Sequence, residues 1–95
     1  MIHLSEFHAK VFFMVRRVGP VTPTRLGLHF QFELDAASGH MRRPLKKLVE
    51  LGLVERVAVN KRVVRYKSAH EIVPPMVIKN DPEGLIYEKL KHEDA

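Results

Sequence analysis

MRRPLKKLVELGLVERVAVNKRVVRYK, Met41 to Lys67, decides how the rest of the 95-residue chain is read. Met41, Leu45 and Leu48 recur at helical spacing and define one apolar face, with Arg42, Arg43, Lys46, Lys47 and Glu50 on the other. Gly52 within Leu51-Gly52-Leu53 is a helix stop, because glycine takes the left-handed position after a last turn at little cost. Two β-branched runs follow, Val54–Val59 and Arg62–Tyr66, with Asn60-Lys61 between them as a tight turn. Nine Lys or Arg stand against two acids, Glu50 and Glu55, in these 27 residues. A basic helix therefore leads directly into a basic hairpin.

That focus of charge is not a property of the whole chain. The formal net charge is only +5, so the remaining segments together are slightly acidic. Cations gathered in one stretch suggest a polyanionic partner. The length fits one domain with a modest core. The chain has no cysteine, which excludes disulfides, thiolate catalysis and the usual zinc-finger ligands and agrees with a cytoplasmic location. No apolar run approaches the roughly 18 residues of a membrane span. MIHLSEFHAK lacks the basic start and apolar core of a secretory signal. No membrane partner is expected.

Outward from the basic stretch, a first helix is expected from Ser5, as N-cap, to about Arg17, with Glu6 in its first turn. Phe7, Val11, Met14, Val15 and Val18 form its apolar face, and Phe12 and Phe13 widen it. Those extra rings belong to the core, to the C-terminal tail or to a second subunit. Gly19-Pro20 ends the helix. A second helix starts at Thr22-Pro23, with Thr as cap and Pro at the first helical position. Leu26 and Phe30 point inward. Gln31 to Gly39 is the least legible segment. Asp35 or Ser38 is the candidate cap of helix 3, and Pro44 argues either for a late start near residues 38–40 or for a start at Asp35 with a bend. After the hairpin, Pro74-Pro75 marks an extended connector. Asp81-Pro82-Glu83 opens a fourth helix to about His92, with Leu85, Ile86 and Leu90 on one side.

GPVTPTRL (Gly19–Leu26), RRPLKKLVELGLVER (Arg42–Arg56) and the Val-rich hairpin resemble winged helix-turn-helix regulators of the MarR and ArsR superfamilies. The resemblance covers roughly residues 5 to 67. Its most specific part is Leu45, Leu48, Gly52, Leu53 and Val54: two leucines a turn apart, a glycine reversal, and re-entry into the core. It implies an α+β winged helix-turn-helix fold, with a three-helix core, a two-stranded hairpin wing and a short C-terminal helix. The division expected is a winged domain over 1–70, and a connector and C-terminal helix over 71–95 that docks or dimerises. The segment before helix 3 reads as longer than the family's usual turn. Neither the metal-binding cysteines of some ArsR sensors nor the long flanking helices of full MarR proteins are present, so no small-molecule effector and no cofactor are expected.

The resemblance further implies a sequence-specific regulator of transcription on double-stranded DNA, with repression the expected sign, acting as a homodimer. Its recognition helix would span about residues 38–51 and its basic wing about 56–67. His40, Arg42 and Arg43 fall where such helices meet base edges or flanking phosphates, and Ser38 lies beside them. Lys46 and Lys47 suit phosphates, and Lys61 and Arg62 at the hairpin tip suit the minor groove or backbone. Thr22, Thr24 and Arg25 stand at a helix start, whose free N–H groups can hold a phosphate. No catalytic constellation or metal set is visible. The six histidines are scattered, and the acids form no pair. The alternative left open is a winged-helix module for protein or RNA, of phage or plasmid type, without operator specificity.

Overall fold

The structure, a computed structural model, describes residues 1–94 and is α+β. Its elements are β1 (Ile2–Leu4), α1 (Glu6–Val18), α2 (Pro23–His29), α3 (Leu34–Glu50), β2 (Val54–Ala58), β3 (Val64–Ser68), β4 (Met76–Ile78) and α4 (Leu85–Glu93). β2 and β3 form an antiparallel hairpin, and β1 and β4 pair in parallel. Neither three-residue strand of the parallel pair was expected, because so short a run carries no periodicity to read.

α1 starts as its sequence dictates. Ser5 is the N-cap and accepts from the His8 amide, Glu6 lies in the first turn, and Arg16 and Arg17 lie in the last. The helix ends one residue later than expected, and Gly19 is extended rather than left-handed. Its glycine is required by crowding. A Cβ there would stand 2.5 Å from the Val15 carbonyl oxygen and 3.1 Å from that of Tyr66. Phe12 and Phe13 are both buried within the chain, so the widened face of α1 is core. Phe7, expected on that face, stays 39% exposed at its edge, with its ring against Phe30.

Of the two starts left open for α3, the early one holds: the helix begins at Leu34, not near residue 38, and the connection from α2 is correspondingly short. Neither Asp35 nor Ser38 caps it. Glu33 occupies the cap position without a side-chain hydrogen bond. Packing supplies what the cap does not. Ala37 is buried against Gly27 of α2, where an added Cβ would come within 2.6 Å of the Ala37 Cβ. Glycine at 27 therefore lets the two helices cross closely enough to hold the first turn of α3. Pro44 lies inside the helix and is buried. One lost backbone bond is outweighed by Met41, Leu45 and Leu48, all fully buried in the core.

Leu51 ends α3, and Gly52 takes φ +75° as the glycine stop requires. Leu53 and Val54 then re-enter the core. The hairpin differs from the expected two-residue turn. Its strands stop at Ala58 and restart at Val64, leaving a five-residue loop over 59–63. Asn60 contributes its side chain rather than a positive φ: its Oδ1 accepts from the amides of Arg62 (2.8 Å) and Val63 (2.9 Å). On the far edge of β3, Val21 and Tyr66 exchange two backbone bonds of 2.8–2.9 Å. That bridge ties the segment before α2 to the hairpin.

β4 lies beside β1, and α4 packs on α1. α4 begins at Leu85, three residues later than expected. Gly84, at φ +72°, takes the cap position in place of Asp81, and Pro82 lies outside the helix, but the Asp81 carboxylate still accepts from the first-turn amides of Ile86 and Tyr87. Leu90 is buried and Ile86 partly so, but Leu85 is exposed. No helix among the described residues is long and apolar enough to cross a membrane.

Candidate nucleic-acid interface

Opposite the buried stripe of α3, Arg42, Arg43, Lys46 and Lys47 are all exposed. They stand in two like-charge rows, Arg42 with Lys46 and Arg43 with Lys47, each four residues apart. Such pairs destabilise an isolated helix by about 0.2–0.5 kcal/mol each. Among the described residues, none of the four makes an ion pair; those present join Lys10 to Glu6, Arg16 to Asp94 and Lys67 to Glu55. Mutually repelling, uncompensated cations do nothing for the fold on this face.

Gly39 lies in the middle of the same exposed face. A Cβ there would meet nothing within 4 Å. A mid-helix glycine costs about 1 kcal/mol relative to alanine, and here neither conformation nor packing demands it. Ser38 is half-buried in the second turn of α3, and His40 is exposed. The His40 ring stacks on Phe32 with centroids 4.1 Å apart and planes at 14°.

At the hairpin tip, Lys61 and Arg62 are exposed on the loop that Asn60 shapes. The strand cations do not share one face. The register pairs Arg56 with Tyr66 and Val57 with Arg65, so Arg56 points to the side opposite Arg65 and Lys67. Lys67 is 3.6 Å from Glu55 at an exposed position, a contact of little energetic weight.

α2 contributes a second group. The Thr22 hydroxyl accepts from the Arg25 amide at 3.2 Å, which makes Thr22 a cap. Thr24 is half-buried and Arg25 exposed. Thr22, Arg25 and His29 line a hollow with Arg65 of β3. Arg65 has no sequence link to α2. The Val21–Tyr66 bridge that joins them is a long-range contact with no local signal.

A third grouping was also illegible. Phe7 and His8 of α1 face Gly39, His40, Arg42, Arg43 and Pro44 across an open cleft of about 600 Å³. His8 is held below the ordinary imidazole range, first by burial and then by the charge of Lys47.

No protein-family model, curated protein or solved structure matches the chain.

Charge and shape therefore speak for themselves. α3 and the hairpin tip offer exposed donors of fixed positive charge, and α2 with β3 adds Arg25 and Arg65. Guanidinium groups suit planar, bidentate anions and guanine edges. Among the described residues, no three His, Asp or Glu side chains are grouped so as to hold a metal ion. A groove of about 280 Å³ runs between α1 and α4, with Phe13, Met14, Phe30, Ile86 and Leu90 flanked by five charged side chains, Glu6, Lys10, Arg17, Lys89 and Glu93.

Proposed function

We propose that this protein is a winged helix-turn-helix regulator that binds double-stranded DNA in a sequence-specific manner, in the cytoplasm and as a homodimer. α3 is its recognition helix, and the β2–β3 hairpin is its wing. The observation that carries the reading is the unpaired cationic face of α3, kept at a cost to the helix and set directly opposite the core stripe. A helix of this kind enters the major groove, where arginine forks read guanine. Arg42, Arg43 and His40 meet base edges or the flanking phosphates, with Ser38 beside them. Lys46 and Lys47 take phosphates. Lys61 and Arg62 reach the minor groove or backbone, and Thr22, Thr24 and Arg25 approach the backbone at the start of α2. The homodimer belongs to the same reading, because a symmetric pair doubles the recognition surface.

A protein-binding module is the second reading, and one observation favours it: Val57 and Val59 of the hairpin are exposed apolar side chains. A gel shift on mixed-sequence duplex separates the two. The DNA reading predicts binding that weakens in Arg43→Ala and in Lys61→Ala/Arg62→Ala. A protein-only module gives no shift with any variant.

A further inference from the structure

The cleft between the start of α1 and α3 holds more than the α3 face requires. Its walls are the Arg42 and Arg43 side chains from α3, the imidazoles of His8 and His40, and the exposed ring of Phe7. Its floor includes Gly39, where the helix backbone is bare. Among the described residues, neither ring nitrogen of His40 nor Nε2 of His8 has a hydrogen-bond partner. Ser5 Oγ contacts His8 Nδ1 and also accepts from the His8 amide. With the hydroxyl donating to Nδ1, the neutral ring carries its proton on Nε2, the nitrogen left free of Ser5.

We propose that this cleft is a phosphodiester-binding site for the DNA strand flanking α3, with Arg43 and the His8 imidazole as its anion ligands. The inference rests on the DNA-binding reading of α3 and adds a site that reading does not contain. The major groove is bordered by phosphates on both strands, so a helix seated in it brings a backbone alongside. The cleft opens on that flank and offers two guanidiniums, two imidazoles and no carboxylate. A bare backbone at Gly39 leaves room for the strand.

A proton follows the phosphate. The groups facing His8 are Lys47 from α3, Arg42, Arg43 and His40 across the cleft, and Ser5 on its own helix. All the charged ones are cationic, so the empty cleft favours neutral His8. A phosphodiester reverses the sign of the local field and favours the imidazolium, which then gives the oxygen a charge-assisted bond. By linkage, DNA binding takes up a proton at His8 and tightens as the pH falls.

The test is fluorescence anisotropy of a labelled mixed-sequence duplex at constant salt, near pH 8 and near pH 6. Wild type is expected to bind about three- to tenfold more tightly at the lower pH, and His8→Gln to lose most of that difference. Gly39→Leu, whose side chain projects into the cleft from a position free of packing, is expected to stay folded by circular dichroism. It should bind more weakly, with the same flattened pH response. A wild-type affinity independent of pH, or a pH response that persists in His8→Gln, overturns the site while leaving the DNA-binding reading intact. Absence of any duplex binding by wild type overturns both.

Discussion

The guanidinium of Arg16 grips the carboxylate of Asp94: Nε lies 3.1 Å from both carboxylate oxygens, and a terminal nitrogen lies 3.0 Å from Oδ2. The two residues are 78 positions apart, and their side chains are only 11% and 14% exposed. The same guanidinium donates to the carbonyls of His70 (2.6 Å) and Glu71 (3.0 Å) and lies over the Phe12 ring. One side chain thus joins α1, the chain leaving β3, and the end of α4. Read as a sequence, Arg16 is only a favourable cation in a last helical turn.

Arg16→Ala removes that junction and strands the mostly buried Asp94 carboxylate, while the exposed His70 and Glu71 carbonyls turn to water. It should destabilise the fold by about 2–4 kcal/mol, while Asp94→Asn, which keeps the shape, should cost less. Urea midpoints measure both. An unchanged midpoint for Arg16→Ala means the contact is decorative.

Two helical glycines should respond to alanine in opposite directions. Gly39→Ala meets open space and should stabilise by about 0.5–1 kcal/mol. Gly27→Ala drives a methyl into Ala37 and should destabilise by about 1–3 kcal/mol, even after the same helical gain. Thermal melts of the two variants side by side give the comparison, and equal shifts of one sign would contradict the close α2–α3 crossing.

Acid should weaken the fold through His8. The unfolded chain protonates this residue near its ordinary value of 6.5, and the folded chain does so only at lower pH. Between those values the unfolded state holds more protons. Stability is therefore complete above about 6.5 and falls as the pH drops through the folded value. His8→Gln should melt with less dependence on pH over that window than wild type, in the absence of DNA. Parallel profiles would contradict the burial and Lys47 effects on His8.

The proposed homodimer, formed through α1, α4 or both, should appear in sedimentation at tens of micromolar. Leu90 is buried and Ile86 partly so, so Ile86→Glu is a sharper probe than a core change. It should shift wild-type dimers toward monomer with α-helical content retained. A wild-type monomer at that concentration removes the dimer from the account.

Much of the local grammar was legible in the chain. Ser5 and Thr22 cap the helices that their positions announce, the Asp81 carboxylate accepts from the first turn of α4, and Gly52 makes the turn that releases Leu53 into the core. Met41, Leu45 and Leu48 are buried as their spacing requires. What failed depends on partners far along the chain. The start of α3 has no capping side chain and is held by Ala37 on Gly27, so the caps in the sequence could not choose between a start at Asp35 and one near residue 38. The parallel pair β1–β4 is too short to show a period. Four exposed cations on α3 could be listed from the sequence, but His8 and Phe7 facing them could not. Nor could Arg65 beside Arg25, because the Val21–Tyr66 bridge has no local signature.

The most direct measurement is the affinity for a mixed-sequence duplex as salt is raised from about 50 to 200 mM. If the cations of α3 and the hairpin neutralise roughly six to ten phosphates per dimer, affinity should fall by about 10³–10⁵ over that range. The slope should flatten in Lys46→Ala/Lys47→Ala. A wild-type affinity that barely changes with salt, or no affinity at all, would contradict the assignment of that surface to DNA.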